Sequence, residues 1–372
     1  MNFVFISLKI LKAGDRLAKK NKLSIFLEEI TSNKKLIFGD RASHLLGTHL
    51  KDLKKRNLFG SKIAVPALLC HAPIAAIIDA GWEPYFLEID KTSGQVKEAA
   101  IKEAMENHVS CFLWVHMYGN PHESEIYSEL CHNQDFYIIE DCCLSLGAKF
   151  QSGWTGSKGD TSLFSFGETK PFNVGGGGCL ALKNEFSDFE THPYEKSDGT
   201  SFREKFYEHM IQYKQTGNSS YLTGLIDDYI PFLGEVSISG DLNKFNKANY
   251  FDEVKRRREK NLLYTKFLGD SISPVKSDER SVPWRFIFRI DGISGKKQYE
   301  LSERMRADGI HVSNWYLPAH FMTKEKCEGT STLNNTEEFS NEVFQLWLDE
   351  SHDDEKIEKN CQKILKIIKE IH

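Results

Sequence analysis

Along the first half of the chain, short apolar runs alternate with stretches of helical period. The runs are Leu36-Ile37-Phe38, Ile63-Ala64-Val65, Tyr85–Ile89, Cys111–Val115, Tyr137-Ile138-Ile139 and Leu163–Phe166. Each is four to eight residues or shorter and bounded by polar or glycine-containing segments, which is the length of a buried strand. Between them, Leu45, Leu46, Leu50 and Leu53 recur at helical spacing, and residues 71–80, 96–107 and 123–133 read as further helices. Gly81 stops the second of these helices. Strands that alternate with helices pair in parallel through right-handed crossovers. The predicted fold class is therefore α/β, a large domain with a mainly parallel sheet flanked by helices. Ligands in such sheets bind at the carboxyl ends of the strands.

The flanking regions read differently. Residues 1–35 suggest an arm and one amphipathic helix carrying Leu23, Ile25, Phe26 and Ile30. Residues 185–240 mix acidic, aromatic and Ser/Gly-rich stretches without a clear period. A long charged helix from Phe245 to Leu268 follows, bearing Val254, Arg257, Leu262 and Tyr264. Pro283–Ile290 alternates like a half-buried strand, a helix runs to Asp308-Gly309, and a last helix spaces Ile357, Cys361, Ile364, Ile368 and Ile371 along one face. Asp353 and Asp354 open that last helix, and Lys366 and Lys369 close it, matching its dipole. The expected division is a large domain over 1–245, with its N-terminal arm, and a small α+β domain over 246–372.

Composition narrows the function classes. With 372 residues, 40% hydrophobic and 27% charged, the chain has the make-up of a globular protein with a substantial core. A net charge of −5 gives no general attraction to nucleic acid or to an anionic membrane. The basic runs Lys51–Arg56 and Lys255–Arg258 fall on predicted helices and read as solvated faces. The Phe3–Ile6 run is broken by Lys9, Lys12 and Asp15, so neither a signal peptide nor a membrane span is expected. Eight cysteines include no CxxC pair and no matched histidine spacing, so no metal site is expected and reduced thiols in the cytoplasm fit best.

The chemistry concentrates in two segments. The strand Tyr137–Ile139 ends on Glu140-Asp141, and 29 residues after Asp141 the run Leu163–Phe166 delivers Lys170 into a turn closed by Gly175–Gly178. A strand-end carboxylate paired with a lysine on a glycine-bounded loop suits pyridoxal 5′-phosphate: the lysine holds it as a Schiff base and the aspartate keeps the pyridine nitrogen protonated. Each feature alone is ordinary, since a strand-end Asp often caps a helix and a loop lysine is usually solvated. Their order and spacing, with Ser165 five residues before the lysine, favour the cofactor.

Residues 139–148 and 162–182 resemble the DegT/DnrJ/EryC1/StrS family of sugar aminotransferases, and the resemblance extends over most of 36–183 and 245–371. It implies a fold-type-I transferase and a homodimer with shared active sites. It also implies transfer of an amino group from glutamate or glutamine to a keto group of a nucleotide-linked sugar. It assigns Lys170 and Asp141 as catalytic and cofactor-binding. Ser165 and the turn Gly39–Ser43, with Arg41 and Ala42, would hold the phosphate. His71 would stand near the ring face, where many members have an aromatic residue at the position of Cys70; simple packing is the other reading of His71. Tyr316 and His320, in a segment that lies over the active site in the family, become substrate contacts, or else strand-end packing. His116, in the family's His-x-Tyr-Gly-x-Pro turn, is expected to shape the sheet edge. Asn218 is the one asparagine that suggests itself for reaching a partner's phosphate.

Three departures stand out. Asp40 replaces a small residue in the phosphate turn; it either points away with Arg41 neutralising it, or serves as the helix N-cap. Cys70 and Leu144 replace an aromatic and a His or Gln. These departures keep open a degenerate, non-catalytic member with a binding or regulatory role, alongside an aminotransferase for a non-nucleotide keto-sugar, keto-cyclitol or ulosonic acid. Lys170 argues against the family's sugar dehydratases, in which a histidine usually replaces that lysine.

Overall fold

The computed structural model describes residues 21–183, 200–233 and 241–370. The Phe3–Ile6 run, the N-terminal arm and Ile371 lie outside the described residues. The chain opens with α1 (Lys22–Ile30), β1 (Lys35–Gly39), α2 (Ala42–Lys55), β2 (Lys62–Pro66), α3 (His71–Asp79) and β3 (Glu83–Leu87). It continues with α4 (Glu98–Glu106), β4 (Cys111–Val115), α5 (Glu125–Leu130), β5 (Tyr137–Asp141), β6 (Thr161–Ser165) and β7 (Gly178–Leu182). These seven strands form one sheet in the order β1-β7-β6-β5-β4-β2-β3. β2 to β6 run parallel, whereas β7 is antiparallel to both of its neighbours. The expectation of a mainly parallel α/β sheet holds.

Both faces of this sheet are covered, which explains strands without a polar side. Ile63, Val65, Leu113, Val115 and Ile139 face α2 and α3. Their neighbours Ala64, Phe112, Trp114 and Ile138 face α4 and α5. Alternate residues of one strand thus enter two separate cores. At β6 and β7 the second face packs on α1, where Leu23, Phe26, Leu27 and Ile30 are buried. Ile25, expected on that apolar face, is instead 53% exposed, and Leu27 takes its place inward.

The rest of the chain adds α6 (Thr200–Thr216), α7 (Leu225–Tyr229), α8 (Lys247–Leu268), β8 (Ser273–Pro274), β9 (Phe286–Arg289), α9 (Gly295–Ala307), β10 (Val312–Ser313), α10 (Asn334–Glu342), β11 (Val343–Leu346) and α11 (Asp354–Lys369). A second, antiparallel sheet has the order β10-β11-β9-β8. β9 was expected to be half-buried, yet all four of its residues are buried. Phe286 and Phe288 meet Ile357, Cys361 and Ile364 of α11, while Ile287 joins the core of the large sheet. α11 begins at the N-cap Asp353, whose carboxylate accepts the Lys356 N–H at 2.8 Å.

Among the joints that hold the C-terminal part against the large sheet, two involve turns at strand ends. Glu88, just past β3, accepts the first N–H groups of α10 from Asn335 and Thr336 at 2.8 and 3.0 Å, and the Thr336 hydroxyl at 2.7 Å. The turn Met117–Gly119 pairs with residues 282–284: Val282 N–H donates to the Gly119 carbonyl and Trp284 N–H to that of Tyr118. Gly119 has φ 87°, and a Cβ there would lie 1.9 Å from the Val282 carbonyl oxygen, so only glycine admits this joint. Among the described residues no helix is long and apolar enough to cross a membrane.

Candidate active site

At the carboxyl ends of β2, β4, β5 and β6 lies a cavity of about 530 Å³. Lys170, Asp141, Ser165, Arg41, Ala42, His71 and Tyr316 all line it. One predicted site residue, His320, does not.

The lysine turn is held at its neck and its tip. Where β6 ends, Phe166 N–H donates to the Gly177 carbonyl at 3.0 Å and Val174 N–H to that of Phe166 at 3.1 Å. The Asn173 side chain ties Glu168 to Gly175, accepting the Gly175 N–H and donating to the Glu168 carbonyl, both at 2.7 Å. Phe172 packs among Phe166, Phe245 and Tyr250. Lys170 N–H donates to the Gly167 carbonyl at 3.0 Å, and the Trp284 indole N–H donates to the carbonyl of Thr169. Lys170 is half-buried on this pinned turn.

Asp141 is the last residue of β5, in register with Val115 on β4 and Leu163 on β6. It is 7% exposed, and one carboxylate oxygen accepts the Cys143 N–H at 2.9 Å. Glu140 faces the opposite way, where it takes N–H groups of Gly156, Lys158 and Gly159 and the ring of His116. His116 accepts the His122 N–H at Nδ1 at 3.1 Å, so Nε2 carries the proton that reaches Glu140. With both nitrogens engaged and the ring fully buried, His116 shapes the cavity floor. His116, Glu140 and Cys142 lie close enough to suggest a metal site. Glu140 is already saturated by four donors, which leaves such a site without a free carboxylate oxygen.

Two thiols share the wall. Burial pushes the Cys70 thiol up, against smaller pulls from Lys170 and Arg41. Burial first, then Asp141, raises Cys143 well above the ordinary range. Both therefore stay protonated and inert near neutral pH. Leu144 stands at the wall beside them.

The opposite wall is the start of α2. Its N-cap residue is Arg41, with φ −147° and ψ 145° and no side-chain cap, so the N-cap reading of Asp40 is corrected: Asp40 precedes the cap and is exposed. Uncapped N–H groups at a helix start make an anion site. β7 approaches that start closely, because a Cβ on Gly178 would lie 2.5 Å from the Ala42 nitrogen and 2.9 Å from the Arg41 carbonyl carbon. Ala42 and Ser43 are buried there, next to Gly175–Gly177. A buried strand-end carboxylate, a half-buried lysine and an uncapped helix start around one cavity fit a molecule with a ring nitrogen, an aldehyde and a phosphate.

His71 begins α3 within an aromatic group. Tyr229 lies edge-on at 4.4 Å, with Phe206 at 5.3 Å and Phe202 at 5.5 Å between ring centroids. Burial, and secondarily Arg41, lowers its pKa to about 4, and its Nδ1 is buried without a partner among the described residues. A neutral ring offers one donor and one acceptor nitrogen, so this wall position can meet a polar ligand group. Tyr316 stacks with Tyr118 and Trp284 at 6.3 Å each, and burial raises its phenol well above the usual range. His320 sits in the 3-10 turn Ala319–Phe321, against Phe86 and 3.3 Å from Glu337, so it is packed away from the cavity. Asn218 caps the short turn Ser219–Tyr221 and is likewise off the wall.

Arg203 and Tyr229 line the cavity and were not anticipated. Both belong to the region read as unpatterned. The signal was there: Phe202, Phe206, Met210 and Tyr213 fall on one helical face and are all buried. That face docks α6 over His71 and carries Arg203 to the rim.

The sheet order, the second small sheet and the strand-end cavity are those of the fold-type-I transferase fold. Among solved structures, Helicobacter pylori PseC, an aminotransferase involved in the biosynthesis of pseudoaminic acid, superposes with TM-score 0.68 at 18% identity, over 93% of this chain and 91% of that one. Escherichia coli GDP-4-keto-6-deoxy-D-mannose-3-dehydratase with bound hydrated PLP does so with TM-score 0.64 at 16% identity, over 91% of each. The model of the DegT/DnrJ/EryC1/StrS aminotransferase family matches residues 43–226 of this chain. GDP-perosamine synthase from Escherichia coli O157:H7 is 29% identical over 263 residues, 71% of this chain and 67% of that protein.

Proposed function

We propose that this chain is a pyridoxal-phosphate-dependent aminotransferase that moves an amino group from glutamate or glutamine to a keto group of a nucleotide-linked sugar. The observation that carries the reading is the meeting of Lys170, Asp141 and the uncapped start of α2 in one cavity. The GDP-perosamine synthase relative supports a nucleotide-linked keto-sugar as acceptor.

When bound, the cofactor supplies an aldehyde that condenses with amines and a ring that withdraws electrons from the substrate carbon. The chain supplies the rest. The Lys170 amine would anchor the cofactor and would carry the proton at the reacting carbon of the substrate. The Asp141 carboxylate holds a proton on the ring nitrogen by charge pairing. The N–H groups of Ala42 and Ser43, the Arg41 guanidinium and the Ser165 hydroxyl bind the phosphate. Tyr316 closes the cavity on the side of the second sheet. The domain division near residue 245, a homodimer and a cytoplasmic setting are parts of the same proposal; eight free thiols suit a reducing compartment.

The test is a visible absorbance spectrum of the purified protein with added pyridoxal phosphate, then with glutamate and, separately, with glutamine. A cofactor band that forms and then converts to the amine form of the cofactor supports the reading. A protein that forms no band refutes it, and a band indifferent to glutamate and glutamine refutes the proposed donors.

A further inference from the structure

We propose that Trp284 is a positioning residue for Lys170, and that through it the C-terminal part of the chain sets the direction in which the lysine enters the cavity. The inference rests on the proposed role of Lys170 but adds a residue 115 positions away from the lysine turn.

The peptide unit joining Thr169 to Lys170 is planar, so fixing both of its polar ends fixes the N–Cα bond from which the Lys170 side chain departs. One end is local: Lys170 N–H donates to the Gly167 carbonyl at 3.0 Å. The other end is the Thr169 carbonyl, and its donor is the Trp284 indole N–H. The remaining freedom of the amine then lies in the Lys170 φ and its own side-chain torsions. Thr169 is exposed, so without the indole its carbonyl would turn to water and the unit could rotate.

Trp284 is itself immobile. It is 6% exposed, and its ring packs nearly parallel to those of Tyr118 and Tyr316, with interplanar angles of 10° and 6° and all three centroids 6.3–6.4 Å from one another. Its backbone N–H donates to the Tyr118 carbonyl at 3.1 Å, and its own carbonyl accepts Arg257 of α8 at 3.0 Å. The Arg285 guanidinium covers its ring at 4.2 Å. An indole locked by stacking, backbone pairing and a cation has one orientation for its N–H. The same ring stack includes Tyr316 on the cavity wall, so a shift of the second sheet reaches both the wall and the lysine turn.

The experiment compares Trp284→Phe with the wild type and with Trp347→Phe, whose ring covers the other face of Arg285 at 3.8 Å and does not touch the lysine turn. Amide hydrogen exchange of Lys170 in the cofactor-free protein is the first readout. Loss of one hydrogen bond should speed it about fivefold in Trp284→Phe, and leave it unchanged in Trp347→Phe. In the cofactor-loaded enzyme, kcat should fall at least about tenfold in Trp284→Phe with the donor KM little changed, because the amine is misdirected and substrate binding is intact. If Trp284→Phe melts early, benzothienylalanine at position 284 removes the N–H while keeping the ring shape, and the same exchange shift is expected. Wild-type exchange at Lys170 in the donor-less variants overturns the inference. Failure of the wild type to bind pyridoxal phosphate instead overturns the proposed function, and the exchange comparison still decides the role of Trp284.

Discussion

Gly178→Ala isolates the phosphate end of the cavity. Gly178 starts β7 in an ordinary backbone region, so alanine adds no conformational strain, only volume. The new Cβ would stand 2.5 Å from the Ala42 nitrogen and 2.8 Å from its Cα, where ordinary contact begins at 3.4 Å. The obstacle is backbone, so the start of α2 must retreat by about 0.9 Å or β7 must yield. Overpacking of this kind costs about 1–3 kcal/mol of stability. The larger effect is on function. Hydrogen bonds to a charged group are worth about 1.5–3 kcal/mol each, and a displacement near 1 Å takes a bond of normal length out of range. Weakening one such bond should reduce affinity for pyridoxal phosphate by roughly 10- to 100-fold. Spectroscopic titration of the cofactor gives the affinity, and thermal melting of the cofactor-free protein gives the stability cost separately. An unchanged cofactor affinity, in a variant whose melting point has dropped, would mean that the phosphate does not sit at the start of α2.

Other substitutions probe the remaining parts. Asp141→Asn keeps the shape of the strand end but removes the charge; cofactor should still bind while kcat falls by at least about 100-fold, and near-normal turnover would refute the ring-nitrogen role. Arg41→Ala should weaken cofactor affinity by roughly three- to tenfold, less than a buried pair would give because Arg41 is half-exposed. His49 is fully buried against the Tyr137 hydroxyl at 2.6 Å, and burial, then Arg56, lowers its pKa to about 3. The unfolded chain protonates this group near pH 6.5 while the folded one refuses the proton until about pH 3, so its contribution is complete above 6.5 and lost as pH falls between those values. Urea unfolding should show about 2–3 kcal/mol lost on this account between pH 7 and 4.5. His49→Gln should lack that part of the slope, and parallel slopes would refute the assignment.

The central strands β2, β4 and β5 were legible because they are apolar runs buried on both faces, a demand strong enough to show in five residues, as at Cys111–Val115. Lys170 and Asp141 could be paired from sequence because Asp141 ends β5 and Lys170 sits on the turn that follows the end of β6, its neighbour in the same sheet. What escaped depends on contacts between distant segments. α6 carries a regular buried face, but exposed Tyr207 and several charges obscure it, and only docking shows that Arg203 reaches the cavity. His320 looked equivalent to Tyr316 at a distance of four residues, yet the 3-10 turn at Ala319 sends one ring to the cavity and the other to Glu337. Asp40 is a good N-cap residue by type, but Arg41 holds the cap position. The bond from Trp284 to Thr169 has no local signature at all.

The most direct measurement is to load the protein with pyridoxal phosphate, reduce it with borohydride, digest it and locate the modified lysine by mass spectrometry. The account predicts a single pyridoxyl group on Lys170, lost in Lys170→Ala without transfer to another lysine. A pyridoxyl group on a different lysine, or none on wild-type protein, would contradict it.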